Sequence, residues 1–417
     1  MRDELRQRLR ELGVVKGVRE LVTLSPRRHL AIEDLVPGHF HTTSQGQCFV
    51  AVATYPPGHR HGDLSLSTFL DLPAEVLARV AQDGRLASAD RRRACFLDTE
   101  TTGLSGGTGT MAFVVGLGFF ADDGFHVRQH FLRDPGDEPA MVEALAEFVS
   151  QFEALVSFNG RAFDLPILEN RFIMARMRPM TAGMPHLDLL APARRLWRFH
   201  LSSCALSALE PAVLGVLREQ DDVPSGIIPY LYRDYLRTGD AREMKRVLYH
   251  NGIDILSMVT LAARLCRAFA DPWSEGADGS HARLSGAEFL ALGHWYAAEG
   301  RLAEAERAYR AALETGLTPD LRANGLRTLG AMFKQAGRWS RACACWQQLA
   351  LEEQGDVLAH VELAKYFEWH VGDLLLAAGW TRAALAQVEQ WPAGLRHDTL
   401  LTELHHRLAR LERKMER

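Results

Sequence analysis

Two carboxylates, Asp98 and Glu100, follow a short apolar run in the segment CFLDTETTGL. Alternate residues of a β-strand project from the same face, so both side chains are expected to converge at the strand end, where ligands commonly sit in α/β sheets. Like charges that close repel, and a divalent cation relieves the repulsion; carboxylate oxygens suit Mg²⁺ or Mn²⁺. An isolated pair of this kind is more often part of a solvated turn, so a metal site requires further acidic residues elsewhere in the sequence.

Two further segments contain candidate residues for the same site. SFNGRAFDLPIL contains a tight turn at Asn159-Gly160 and then Asp164, in the first turn of an expected helix. VLYHNGIDILSMVTL is amphipathic, and its His250 and Asp254 share one helical face because they are four residues apart. Taken alone, each segment is more typical of a polar residue on a packed helix.

Composition bounds the class of protein. The chain has 417 residues, 47% of them hydrophobic and 24% charged, which suggests two or three globular domains. The net charge of −4 means that any basic surface for nucleic acid must be local. The six cysteines form no CxxC pair, the start MRDELRQRLRELG lacks the apolar core of a signal peptide, and no long apolar run is present. We expect a cytoplasmic protein with reduced thiols and no membrane contact.

The order of elements predicts three regions. Residues 1–88 mix a basic helix with strands and are expected to form a small α+β region that packs on the core. Residues 89–271 read strand, strand, strand, helix, strand, helix, strand, helices, which predicts a mixed α/β sheet with an antiparallel strand near its middle, flanked by helices. A polar, glycine-rich linker at 271–286 leads to a helical region at 285–417.

The C-terminal region contains an internal repeat. Leu292, Gly293, Tyr296, Gly300, Arg301, Ala305, Tyr309 and Ala312 recur 37 positions later as Leu329, Gly330, Phe333, Gly337, Arg338, Ala342, Trp346 and Leu349. A looser third copy begins at Leu363. The pattern resembles tetratricopeptide repeats, which are helix-turn-helix units. Such arrays commonly bind a peptide or protein, so a protein partner is one expectation; repeats that only brace the neighbouring domain are the alternative.

Together, DTETTGL, NGRAFDLP and HNGID resemble the three motifs of the DEDD superfamily of 3′-to-5′ exonucleases, in the same order. That superfamily has the ribonuclease H-like fold. The longer segments FLDTETTGLSGGTGTMAFVVGLG, LVSFNGRAFDLPIL, HLDLLAPARRLWR and VLYHNGIDILSMVTL look like its YprB-like branch, whose members often carry C-terminal tetratricopeptide repeats. The resemblance covers most of the chain.

The resemblance implies a two-metal site. Asp98, Glu100, Asp164 and Asp254 would hold two divalent ions, Mg²⁺ or Mn²⁺, with Asp98 bridging them. His250 would orient or deprotonate the attacking water, or else support a residue that does. The superfamily places its histidine five residues, or its tyrosine four residues, before the last aspartate. This chain has Tyr249 five before and His250 four before, so the base is open between them; the helical spacing favours His250.

Nucleic-acid contacts are expected near these acids. ARRLWRFH places Arg194, Arg195 and Arg198 among aromatic residues, a mixture that suits phosphate contacts and base stacking on a single strand. A helix with a solvated arginine face and a packed aromatic face is the alternative. Thr101 and Asn159, which flank the acids, are further candidates for contacting nucleic acid.

These observations predict a metal-dependent nuclease that trims DNA or RNA from a 3′ end. Two alternatives remain open at this point. The same acids would serve an endonuclease or a structure-selective ribonuclease, because a fold does not fix the substrate. A non-catalytic scaffold that binds nucleic acid or a protein through its helical repeats is the other.

Overall fold

A seven-stranded mixed sheet forms the centre of the molecule. The structure is a computed structural model that describes residues 29–103, 109–179, 181, 183–218, 222–274, 284–353, 356–392 and 394–417. The basic helix expected at the start and most of the expected linker lie outside these residues. The strands of the sheet are β1 (Gly38–Thr43), β2 (Gly46–Tyr55), β5 (Ala94–Thr101), β6 (Ala112–Ala121), β7 (Gly124–Phe131), β8 (Ala154–Ser157) and β9 (His186–Asp188).

The strand order is β1-β2-β7-β6-β5-β8-β9. Strands β5, β8 and β9 are parallel, whereas the other neighbours pair antiparallel. Strand β6 is therefore the expected antiparallel strand near the middle. The predicted mixed α/β sheet is confirmed, and the carboxyl ends of β5, β8 and β9 meet at one edge, where ligands bind in sheets of this kind.

Helices cover both faces of this sheet because β5 is apolar on both sides. Ala94 and Phe96 pack in one buried cluster, and Cys95 and Leu97 pack in another on the opposite face. The helices are α1 (Ala74–Ala81), α2 (Glu138–Val149), α3 (Asp164–Met174), α4 (Leu190–Trp197), α5 (Leu206–Leu209), α6 (Ile228–Thr238) and α7 (Arg242–Ala270). The first cluster includes residues of α1, α4 and α7, and the second includes residues of α2, α3 and α6.

Helix α7 lies unusually close to strand β6 because two glycines face it. A Cβ atom on Gly116 would lie 2.1 Å from Oδ1 of Asn251, and one on Gly118 would lie 2.4 Å from Cγ2 of Ile255. Asn251 and Ile255 are one helical turn apart, as Gly116 and Gly118 are one strand repeat apart. The sequence VVGLGFF therefore sets the height of α7 above the sheet.

The N-terminal region contributes to the same sheet. Strands β1 and β2 form its edge, and β2 pairs with β7 from Phe49 to Tyr55. A short hairpin, β3 (Arg60–His61) with β4 (Leu64–Ser65), packs beside α7. The expected packing of this region on the core therefore includes a shared sheet.

Seven helices follow the sheet domain among the described residues. They are α8 (Gly286–Ala298), α9 (Leu302–Thr315), α10 (Pro319–Gln335), α11 (Trp339–Glu352), α12 (Val357–Tyr366), α13 (Leu374–Val388) and α14 (Leu395–Met415). The turns within three successive pairs carry Gly300, Gly337 and Gly372, with φ of +76°, +71° and +81°. Only glycine adopts this conformation at low cost, which explains its recurrence in the sequence repeat.

The repeat also has a structural basis inside the helix pairs. A Cβ atom on Gly293 would lie 2.6 Å from the Tyr309 ring, and one on Gly330 would lie 2.7 Å from the Trp346 ring. Each glycine is 16 positions before its aromatic partner. The same small-against-large contact therefore closes α8 on α9 and α10 on α11.

The first helix pair is anchored to the sheet domain. Trp197 is only 1% exposed, and its Nε1 donates to Oε1 of Glu288 at 2.8 Å. The hydroxyl of Tyr296 donates to the carbonyl of Phe269, at the end of α7, at 2.6 Å. One apolar cluster runs from the sheet through α7 into α11 and α12. In the described part of the chain, no helix combines the length and apolar character needed to cross a membrane.

We predict that Gly116→Ala destabilises the protein by roughly 1–3 kcal/mol, because the added methyl group overlaps Asn251 and pushes α7 from the sheet. Gly252→Ala on the facing helix is the matched control. Its Cβ would meet nothing closer than 3.9 Å, so the free energy of unfolding should stay constant or rise by about 0.5–1 kcal/mol. Urea unfolding followed by circular dichroism measures both. Equal effects of the two substitutions would contradict the close-packing interpretation.

Candidate active site

The three predicted acidic segments meet at one edge of the sheet. Asp98 and Glu100 lie at the end of β5, Asp164 begins α3, and Asp254 lies on α7. All four carboxylates line a cavity of about 200 Å³. Glu100 and Asp164 are buried, with 9% and 4% of their surface exposed. The structure therefore brings together the four acids that the sequence singled out.

Asp98 is held by two side-chain amides, those of Asn251 on α7 and Gln129 on β7, which form a row of hydrogen bonds above the sheet. Its Oδ2 accepts a hydrogen bond from Nδ2 of Asn251 at 2.7 Å, and Oδ1 of Asn251 accepts from Nε2 of Gln129 at 2.8 Å. Asp98, Gly116 and Gln129 stand opposite one another on β5, β6 and β7. The missing side chain at Gly116 leaves the space that Asn251 fills. Sequence reasoning missed Gln129, and Asn251 lay unnoticed inside the HNGID motif.

Asp164 is fixed from the opposite face of the sheet. Thr99 alternates with Asp98 along β5, and its hydroxyl donates to Oδ1 of Asp164 at 2.5 Å. The turn before α3 has Asn159 at φ +65°. Asp188, at the end of β9, accepts hydrogen bonds from the backbone amides of Asn159 at 2.8 Å and Arg161 at 3.1 Å. Asp188 stands in the HLDLL segment, but its role in holding this turn was not predicted.

Burial and mutual repulsion disfavour the ionised acids. Burial, followed by the charges of Asp254 and Asp164, raises the pKa of Asp98 and of Glu100 well above the usual carboxyl range. Burial raises the pKa of Asp164 to about 6 despite its bond from Thr99. Burial also raises the pKa of Asp254, although His250 and Arg218 oppose the shift. The donor set has excess negative charge that a cation would neutralise.

The chemistry of these donors fits divalent metal ions. Single ligand atoms of Glu100, His250 and Asp254 lie within 4.8 Å of one another. Carboxylate oxygens are the ligands that Mg²⁺ and Mn²⁺ prefer. A cation here would also relieve the repulsion that raises the carboxyl pKa values.

His250, rather than Tyr249, faces the cavity. Nδ1 of His250 lies 2.8 Å from Oδ1 of Asp222, and Nε2 lies 3.2 Å from Oγ of Ser225 and 3.5 Å from Oδ2 of Asp254. His250 lines the cavity with the four acids, whereas Tyr249 does not and instead lies near Tyr55. The four-residue spacing predicted that His250 and Asp254 share one face of α7, and both side chains line this cavity.

An arginine that sequence reasoning did not indicate reaches the same place. Nη2 of Arg218 donates to Oδ1 of Asp254 and, at 2.7 Å, to Oε1 of Glu210. Its Nε donates to Oε2 of Glu210 at 2.6 Å, and its Nη1 donates to Oδ2 of Asp222 at 3.2 Å. Glu210 begins a short π-helix (Glu210–Leu214), and Arg218 and Asp222 lie between that helix and α6. No periodicity or motif in the sequence marks these three residues.

A wider groove of about 810 Å³ adjoins the acids. It shares Asp98, Asn159 and Asp254 with the smaller cavity. Arg194 and Arg198, one turn apart on α4, line this groove and are exposed. The predicted nucleic-acid contacts at Asn159, Arg194 and Arg198 therefore lie along one surface that leads to the acids.

Other predicted contacts lie elsewhere. Nη2 of Arg195 donates to Oε1 of Gln82 at 2.8 Å, and its guanidinium lies 5.3 Å from the ring centre of Trp295, so Arg195 points toward α1 and α8. Trp197 is buried against α8, which matches the alternative of a solvated arginine face and a packed aromatic face. Thr101 lines the smaller cavity, but it is only 6% exposed and its hydroxyl donates to the Gly103 carbonyl at 2.8 Å.

We predict that Asp98→Asn raises the thermal unfolding midpoint in EDTA at pH 7.5. The pKa of Asp98 in the folded protein lies above its value of about 4 in the unfolded chain. The free energy of unfolding therefore falls as the pH rises from about 4 through the folded pKa, because the folded state disfavours the ionised carboxylate. The neutral amide avoids this loss. A gain of a few degrees corresponds to about 1 kcal/mol in a protein of this size, and it should shrink toward pH 4. Differential scanning fluorimetry measures both.

Asp71→Asn is the control for this comparison, because Asp71 is exposed and lines neither the cavity nor the groove beside it. It should leave the midpoint unchanged at both pH values. A destabilising effect of Asp98→Asn in EDTA at pH 7.5 would contradict the repulsive site.

Comparisons with known proteins agree with this geometry. The RNase_H superfamily profile matches residues 95–266, which contain all four acids and His250. A solved structure, PcrH from Pseudomonas aeruginosa, matches 30% of this chain and 91% of its own at 20% identity, with a TM-score of 0.26 that is too low to establish a shared fold.

A match to a curated protein covers a larger share of this chain. YprB of Bacillus subtilis, an uncharacterised protein, is 30% identical over 377 residues, which is 88% of this chain and 86% of YprB. That similarity extends well beyond the RNase_H superfamily segment. The chain therefore belongs to the family of YprB, with a ribonuclease H-like domain at its centre.

Proposed function

We propose that this chain is a metal-dependent nuclease of the DEDD type, which removes nucleotides from a 3′ end of DNA or RNA. The observation that carries the proposal is the convergence of Asp98, Glu100, Asp164 and Asp254 on one cavity. Clustered acids with raised pKa values reduce the stability of the fold, and such clusters are characteristic of functional sites. The 3′-to-5′ polarity rests on the resemblance to DEDD exonucleases.

The four acids would hold two divalent ions, Mg²⁺ or Mn²⁺. When bound, such ions promote attack by water on a phosphodiester and stabilise the charge on the leaving oxygen. The hydrogen bonds from Asn251 and Thr99 each occupy one oxygen of Asp98 and Asp164. The other oxygen of each carboxylate is then oriented by a rigid partner, which favours a preorganised site.

His250 is positioned to take a proton from the attacking water. Nδ1 of His250 lies 2.8 Å from Oδ1 of Asp222 and 3.0 Å from Nη1 of Arg218. The tautomer protonated at Nδ1, which donates to Asp222, leaves Nε2 as the acceptor on the side of Ser225 and Asp254. A carboxylate behind the ring fixes this tautomer and stabilises the imidazolium that proton transfer forms. Asp222 would thus orient His250 without contacting the substrate.

The groove beside the acids would bind the strand that ends at the site. Arg194 and Arg198 present two guanidinium groups one helical turn apart, which suits successive phosphates of a single strand. Asn159 stands where the groove and the smaller cavity meet. Arg195 is not part of this surface, because its partners are Gln82 and Trp295.

We also propose the division into an N-terminal region at 1–88, a nuclease domain at 89–271 and tetratricopeptide-type repeats at 285–417. The repeated glycine–aromatic contacts at Gly293 and Gly330 support the repeat type. The bonds from Trp197 and Tyr296 favour a bracing role for the first helix pair. Binding of a protein partner by the repeats remains a prediction, which a pull-down with the full chain as bait would test.

The activity is tested with 5′-labelled DNA and RNA oligonucleotides in Mn²⁺, Mg²⁺ or EDTA. We expect stepwise shortening in the presence of metal, none in EDTA, and a loss of activity in Asp98→Ala. Asp71→Ala, at an exposed acid that lines neither the cavity nor the groove, should behave as wild type. Internal fragments in place of a ladder would indicate an endonuclease. Absence of cleavage under all conditions would favour the scaffold.

The assignment of the base predicts a contrast between neighbouring residues. His250→Gln should lower kcat by roughly 100- to 10,000-fold, and Asp222→Asn should lower it less while shifting the acidic limb of the pH–rate profile. Tyr249→Phe is the matched control and should retain wild-type rates. A large loss in Tyr249→Phe together with little loss in His250→Gln would reverse the assignment.

A further inference from the structure

Arg218 is enclosed by acidic residues at the edge of the site. Four of its five N–H donors are directed at carboxylate oxygens, two on Glu210, one on Asp222 and one on Asp254. Nη1 also lies 3.0 Å from Nδ1 of His250. A guanidinium with this many internal partners has little capacity left for a phosphate group. Its function must therefore be sought in what it does to the acids around it.

Arg218 is held in place from behind by Glu210. Glu210 is only 1% exposed, and it accepts both bonds of the bidentate pair at 2.6 and 2.7 Å. Its Oε1 also accepts from the hydroxyl of Ser257 on α7 at 2.7 Å. A paired geometry of this kind fixes the plane of the guanidinium as well as its position.

The support continues into the N-terminal hairpin. Oγ of Ser257 lies 2.8 Å from Nε2 of His61, and because Ser257 donates to Glu210, His61 donates to Ser257. The amide of Asp63 donates to the Leu214 carbonyl at 2.8 Å. Gly62, at φ +63°, passes so close that a Cβ would lie 2.0 Å from the same carbonyl. The HRHGD turn thus grips the segment that carries Glu210.

We propose that Arg218 is a positioning residue that limits how tightly the site binds divalent metal. It donates to Oδ1 of Asp254, which makes that oxygen a weaker ligand for an ion, and its fixed positive charge opposes the charge of that ion. The hydrogen bonds that join His61, Ser257 and Glu210 hold Arg218 beside Asp254. The inference rests on the proposed metal-dependent function and names an element that sets metal affinity at that site.

Geometry argues against a purely stabilising role for Arg218. Replacing both partners of a buried ion pair with apolar residues of similar size is often neutral or stabilising, so the stability of the fold does not by itself require an arginine at this position. A stabilising pair would be complete with Glu210. The additional bond to Asp254, a proposed metal ligand, places the charge where it acts on the metal site.

The test measures Mn²⁺ binding to the full chain, without substrate, by titration calorimetry and by the EPR signal of free Mn²⁺. Arg218→Met should tighten Mn²⁺ binding roughly tenfold, because one carboxylate oxygen is released and a nearby positive charge is removed. Arg218→Lys keeps the charge and should stay within about threefold of wild type. Arg237→Met, at an exposed arginine on α6, is the control and should not change the affinity.

A second variant guards against misfolding. Arg218→Met leaves the buried charge of Glu210 without its cationic partner, so the double variant Arg218→Met/Glu210→Gln removes both charges and keeps an acceptor for Ser257. It should show the same tightening with a wild-type circular dichroism spectrum. His61→Phe should tighten binding by a smaller factor than Arg218→Met. His59→Phe, at a half-buried histidine two residues away whose ring packs against Tyr55, should not change the affinity.

Each outcome separates this inference from the proposed function. Unchanged or weaker Mn²⁺ binding in the folded double variant would overturn the role of Arg218, even if the wild-type protein cleaves nucleic acid. Tighter binding in a protein that cleaves nothing would support the role of Arg218 while the nuclease function fails. A wild-type protein that binds no Mn²⁺ would overturn both.

Discussion

Four carboxylates gathered around one cavity at the carboxyl ends of the parallel strands impose the main energetic constraint on this protein. Each ionised acid loses water on folding, and each repels the others. The fold compensates with one donor for each of three acids, an amide from Asn251 on Asp98, a hydroxyl from Thr99 on Asp164 and a guanidinium from Arg218 on Asp254. These donors fix the geometry, but the pKa values stay raised, and the remaining imbalance is what a divalent cation would neutralise.

Helix α7 connects this constraint to the rest of the molecule. Within five residues it supplies His250, Asn251 and Asp254, and its height above the sheet depends on the glycines of β6. The same helix ends at Phe269, where Tyr296 of the first helix pair binds its carbonyl. The first helix pair therefore contacts the helix that carries His250, Asn251 and Asp254.

The segments between α5 and α6 supply a second set of charged residues that contact the site. Glu210, Arg218 and Asp222 approach the acids from a direction that the sheet does not provide. They place a carboxylate behind His250 and a cation beside Asp254, and they are themselves held by the N-terminal hairpin. A nuclease site of the proposed type would thus depend on residues from almost every described part of the sheet domain.

Local sequence was sufficient for the elements and for the acids. The period of two in CFLDTET placed Asp98 and Glu100 on one face, the spacing of four placed His250 with Asp254, and the 37-residue repeat located the helix pairs. The mixed sheet followed from the order of strands and helices. Such signals are short-range, because the backbone geometry of a strand or helix alone determines which side chains share a face.

Tertiary packing decided the partners of these residues. Gln129 reaches Asn251 across 122 positions, and Arg218 reaches Asp254 across 36, through contacts that no local period encodes. The arginines of α4 divide for the same reason, since Arg194 and Arg198 face the groove while docking of α8 turns Arg195 and Trp197 away from it. The sequence alone determined that the four acids and His250 are candidate site residues, and on which elements they lie. Only the folded structure determined their hydrogen-bond partners, because these depend on how distant elements pack against one another.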